Sequence, residues 1–116
     1  LKLLRTDFIK IIQKNGTVQQ TREIVYAAFQ TREKEVLHVF VNHWPSRRGG
    51  ELETAQKRNL VASILRQRVD SVFKTDPAAK IVITGDFNDD PYNASITKVL
   101  KAQIPENATI PSGLYN

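Results

Sequence analysis

Residues 81–91 read IVITGDFNDDP, a short apolar run that ends in an amide and three carboxylates. In an extended chain residues two apart point the same way, so Asp86 and Asn88 are expected to share a face while Phe87 turns back into the core. Gly85 permits a sharp or crowded backbone just before them. A carboxylate beside an amide oxygen offers hard donors suited to Mg²⁺ or Mn²⁺. A core strand that delivers an Asp at its carboxyl end is a common site location in open sheets. Asp89 and Asp90 fit an Asx-type turn. An EF-hand is excluded, because Pro91 stands where the invariant Gly belongs and Thr97 where the bidentate Glu belongs.

A second polar strand end lies at VNHWPSRRGGE, residues 41–51. His43 follows Leu37, Val39 and Val41 on one face, and its imidazole can hydrogen-bond a phosphate oxygen or move a proton. Asn42 follows Val36, His38 and Phe40 on the other and is a further candidate phosphate contact. Arg47 and Arg48, in a Gly-terminated loop before a helix, can receive a phosphate together with the helix amides. Arg58 falls on the apolar side of that helix near its start; it either snorkels to solvent or turns under the loop toward the site. Trp44 and Pro45 either brace the loop or leave the indole free to stack on a base. His38, in mid-strand, is expected in the core.

These ends need elements to hold them. Asn15-Gly16, between extended segments, is a hairpin signal. Residues 22–29 are apolar on both faces and predict a central strand. The charged turn at 31–34 leads to a strand over 35–44, and so short a connection favours an antiparallel pair. From Glu51 to Lys74 the period becomes helical, with Leu60, Val61, Ile64, Leu65, Val69, Val72 and Phe73 on one side. Residues 80–84 are the next strand, and 94–102 a short helix. This order predicts an α/β (α+β) domain, a mixed, largely antiparallel sheet covered by helices. Residues 1–116 form one domain with a loop-like tail over 104–116, and Leu1 and the tail read as the ends of an excerpt from a longer chain.

The chain has no cysteine, which excludes disulfides, thiolate zinc sites and thiol nucleophiles, so any metal is held by oxygen or imidazole. No apolar run is long enough to span a bilayer and no signal pattern opens the chain, so a soluble protein is expected. The net charge of +5 is uneven: residues 1–75 hold 14 Lys/Arg against 7 Asp/Glu, and residues 76–116 hold 3 against 5. A basic body beside an acidic cluster suits a polyanionic partner approaching a cation site. A phosphate-binding Gly-rich loop, paired helical histidines and a nucleophile-elbow serine are all missing.

Taken together, NHWPSR, a helix and then IVITGDFND resemble the central portion of the endonuclease/exonuclease/phosphatase superfamily, the DNase I-like metal-dependent fold. The resemblance runs from about Val36 to Pro91, and LKLLRTDF more loosely resembles the preceding strand. It implies a four-layer α/β/β/α sandwich and in-line hydrolysis of a phosphoester with Mg²⁺ or Mn²⁺; the basic balance with Arg47, Arg48 and Arg58 favours nucleic acid as the substrate. By the same resemblance Asp86 orients or activates the attacking water, Asn88 contacts the scissile phosphate, and His43 hydrogen-bonds it. The family's principal metal-binding Glu and its C-terminal Ser-Asp-His segment find no match here, so the chain is expected to be a fragment with little activity alone. The alternative is an inactive binding module that forms a homodimer through surfaces left open.

Overall fold

The computed structural model describes residues 1–13, 15–18, 21–103 and 113–115. Four strands, β1 (Lys2–Ile9), β2 (Ile24–Gln30), β3 (Val36–His43) and β4 (Lys80–Asp86), form one sheet in chain order. β1–β2 and β2–β3 are antiparallel, and β3–β4 are parallel. A parallel pair needs a crossover, supplied here by the helix α1 (Glu51–Thr75). The expected mixed sheet and long helix are both present. Asn15-Gly16 does turn the chain, with Gly16 N–H donating to Gln13 O at 2.9 Å and Gly16 at φ 83°. The segments flanking that turn meet at the bridge Ile12↔Val18 and through Gln13 N–H, which donates to Thr17 O at 2.9 Å.

Strand periodicity decides what each face buries. Ile24, Tyr26 and Ala28 on β2, and His38, Phe40 and Asn42 on β3, point to one face and are all buried. Val61, Ala62, Leu65 and Val69 of α1 share that core. Within it His38 Nδ1 lies 2.7 Å from Tyr26 Oη. Burial, followed by the Arg5 charge, pushes the His38 pKa down, so the ring stays neutral and the polar pair satisfies itself. This is the core role expected for His38.

The opposite face carries Phe8, Val25, Ala27, Phe29, Val39, Val41 and Val82, and no helix among the described residues covers it. Phe8 is 62% exposed, and Val41 and Val82 nearly half exposed. The described residues therefore make a sheet and one helical layer, two of the four layers implied by the resemblance. Beyond β4 a wide helical turn, Ser95–Val99, packs on α1, and β5 (Ala102–Gln103) pairs in parallel with β6 (Leu114–Tyr115). Of the tail expected over 104–116, residues 104–112 and 116 lie outside the described residues. Leu114, buried at 8%, belongs to the β5–β6 pair.

Candidate active site

Parallel pairing sets β3 and β4 in register, so that His43 stands opposite Asp86 at their carboxyl ends. Both side chains emerge on the uncovered face, 45% and 62% exposed, with His43 Nε2 3.9 Å from Asp86 Oδ2. The pairing continues one step further, through Trp44 N–H to Asp86 O at 2.9 Å. Gly85 makes this approach feasible. At φ 132° it occupies backbone space that L side chains rarely adopt, and a Cβ there would lie 1.9 Å from Asn42 O.

Past Asp86 the extended reading fails. Asn88 is not aimed alongside Asp86 by strand alternation, because the chain turns: Asn88 adopts φ 51° and its N–H donates to Asp86 Oδ1 at 3.0 Å. This is an Asx-type turn, with Asp86 rather than Asp89 or Asp90 as the accepting side chain. Asn88 Nδ2 is committed to Trp44 O at 2.8 Å. Its Oδ1 accepts no hydrogen bond from the described residues.

Asn42 takes no part in the exposed site. It points to the helix side and is 3% exposed. Its Nδ2 donates to Phe40 O and Thr84 O, each at 3.2 Å, while Oδ1 accepts from Trp44 Nε1 at 3.1 Å. Adjacent strand residues face opposite ways, so His43 and Asn42 cannot both reach the same ligand. Trp44 is buried and meets Phe87 edge-on at 5.0 Å, which leaves the bracing role and removes base stacking.

Arg58 turns inward and is 1% exposed, too deep to contact a substrate phosphate. Its Nε lies 2.9 Å from Asp89 Oδ1, as an ion pair without hydrogen-bond alignment. Its Nη1 donates to Thr54 Oγ1 at 2.6 Å and its Nη2 to Glu51 O at 3.1 Å. Asp89 proves to be the most connected carboxylate of the region. Asn93 Nδ2 donates to its Oδ1 at 2.9 Å, Ser95 Oγ donates to Oδ2, and Arg47 Nη2 lies 3.3 Å from Oδ1. Burial raises its pKa, but these hydrogen bonds and the Arg58 charge outweigh burial, leaving it below the ordinary value.

Arg47 also donates from Nε to Asn88 O at 3.0 Å and lies 3.8 Å from both Asp90 and Glu51. With so much of its charge compensated it braces the two loops together. Arg48 is exposed, with no side-chain partner among the described residues. Arg22, which sequence reasoning passed over, holds Nη1 2.9 Å from both ring nitrogens of His43. The β2–β3 register ends at Val25↔Val41, which brings the chain just before β2 beside the end of β3, but alternation continued from it would select Glu23, so no sequence signal singles out Arg22. No group of three or more His, Asp or Glu among the described residues is placed to hold a metal ion.

A mixed sheet whose adjacent parallel strands end in His43 and Asp86, with a crossover helix between them, defines a two-layer α/β domain. The chain belongs to the endonuclease/exonuclease/phosphatase family, whose model matches residues 1–116. Among solved structures, the human Nocturnin catalytic domain with a bound sulfate anion has the same fold, with a TM-score of 0.66 at 18% identity. The match covers 83% of this chain and 33% of that chain. No curated protein matches the sequence.

Proposed function

We propose that this chain supplies the central part of a divalent-metal-dependent phosphoesterase site that hydrolyses phosphodiester bonds, with nucleic acid the favoured substrate. The observation that carries the reading is the register pair His43–Asp86, both exposed at the ends of adjacent parallel strands. Asp86 Oδ2 and the uncommitted Asn88 Oδ1 are hard oxygen donors and fit Mg²⁺ or Mn²⁺, which commonly keep several waters and take few protein ligands. When bound, such a cation stabilises negative charge developing on the phosphoryl oxygens. The Asp86 carboxylate orients an attacking water and accepts its proton. His43, with Arg22 against its ring, and Arg48 bind phosphate oxygens by charge-assisted hydrogen bonds. The basic balance of residues 1–75 favours a polyanionic partner.

The test compares the chain with Asp86→Ala in hydrolysis of bis(p-nitrophenyl) phosphate and plasmid DNA with Mg²⁺ or Mn²⁺. Broadening of backbone amide signals by Mn²⁺ provides a second readout. Any hydrolysis should fall by about 100-fold or more in the variant, and Mn²⁺ broadening at Asp86 and Asn88 should disappear. Hydrolysis indifferent to the variant, or no Mn²⁺ response in the unmodified chain, would defeat the reading.

The uncovered apolar face favours a second reading, an inactive module that self-associates. Four strands of about seven residues present a face of roughly 19 × 23 Å. Two copies face to face bury on the order of 900 Å², just under the roughly 1,000 Å² of a specific interface. Sedimentation should then show dimer only at high concentration, abolished by Phe8→Lys. A monomer at every concentration would remove this reading.

A further inference from the structure

We infer that Asp89 is a positioning residue: its buried carboxylate, balanced by Arg58, holds Arg47 and through it the left-handed turn at Asn88. The inference rests on the metal-site reading above. Asp89 and Arg58 have side chains 5% and 1% exposed and taken up by each other and by neighbouring groups, so their effect on a ligand bound at His43 and Asp86 runs through Arg47. Asp89 nevertheless joins three segments: α1 through Arg58, the β3–α1 loop through Arg47, and the chain after β4 through Asn93 and Ser95. Arg47 Nε carries the constraint onward to Asn88 O at 3.0 Å.

Asn88 is where that constraint has chemical value. Asn enters the left-handed region more readily than most non-glycine residues, and at φ 51° its surroundings fix it there. Three bonds do so here: Arg47 Nε to its carbonyl, its own Nδ2 to Trp44 O, and its N–H to Asp86 Oδ1. With Nδ2 fixed, the side-chain oxygen is turned away from Trp44 and left free of the described residues. Stability alone does not account for the ion pair beneath. Well-packed apolar residues often replace a buried pair without loss, whereas a unique geometry needs the charges to hold Arg47.

The test uses the ¹⁵N-labelled chain and two variants, Asp89→Asn and the double replacement Arg58→Met with Asp89→Leu. It reads solvent exchange of Arg47 Nε–H and Asn88 Nδ2–H₂, and the Mn²⁺ concentration that half-broadens the Asp86 and Asn88 amides. Both variants should keep the amide pattern of β2 and β3 while Arg47 and Asn88 lose protection. The Mn²⁺ concentration required should rise by about 10-fold, as for loss of an outer-shell partner. Ser95→Ala, which removes one bond to Asp89 and leaves the ion pair, should shift the same signals less; it carries the test if Asp89→Asn does not fold. Folded variants with unchanged exchange and unchanged Mn²⁺ response would overturn the inference. Loss of protection without any Mn²⁺ response in the unmodified chain would uphold the positioning of Asn88 while defeating the metal reading.

Discussion

Arg58→Met alone should lower the stability of the domain by about 3–5 kcal/mol, because it strands the Asp89 carboxylate. Asp89 is 5% exposed at its side chain, and Arg58 is the one cation beside it that is fully buried. Arg47, 37% exposed, contacts Asp89 at 3.3 Å but is shared with Asn88, Asp90 and Glu51. The Ser95 and Asn93 bonds solvate Asp89 in part and set the lower end of the range. Domains of this size hold about 5–15 kcal/mol in all, so a loss of this size moves the urea midpoint by a large fraction of its value. Adding Asp89→Leu should recover most of the loss, since an apolar pair replaces the ionic one. A single variant within about 0.5 kcal/mol of the parent would mean that Asp89 is satisfied without Arg58.

Gly85→Ala should act at the point where the two strands deliver the site. The new Cβ would lie 1.9 Å from Asn42 O, a backbone atom of the neighbouring strand that cannot rotate away, and φ 132° is itself strained for alanine. Strain and overpacking together cost about 2–6 kcal/mol. The pair Asn42↔Gly85 lies one step from the end of the β3–β4 register, so the chain can relieve the clash by peeling that end apart. Amide exchange should therefore rise first at Trp44 N–H, which bonds Asp86 O, and Mn²⁺ broadening at Asp86 should be lost before the core unfolds. Retained protection at Trp44 with full stability would show that the close approach is not required.

Both effects arise at positions that are only partly legible in the sequence. Gly85 was recognisable as a residue that tolerates crowding, yet its crowding partner, Asn42, is 43 residues distant and becomes its neighbour only through the parallel register. Arg58 was visible as an arginine on an apolar helical face. Its partner was not, because Asp89 reads locally as one more turn carboxylate among Asp86, Asp89 and Asp90. Asn42 and His43 show the opposite case. Strand alternation alone separates them, and the structure places one in the core and the other at the exposed strand end.

By itself the sequence determined the long helix and the strands paired around it, their faces and the family, but not the β5–β6 pair that stands where a helix end and a loop-like tail were expected. Period-2 and period-3.6 apolar patterns are local properties of the chain, as is the run Gly-Asp-Phe-Asn that sets Asp86 at a strand end. Tertiary structure decided which polar groups work and which support. Strand pairing brought His43 to Asp86, the packing of α1 on the sheet buried Arg58 against Asp89, and the turn at Asn88 freed one side-chain atom while fixing another. The physical reason is that a side chain's partners depend on burial and on contacts distant in sequence, and neither is set by the few residues on either side of it.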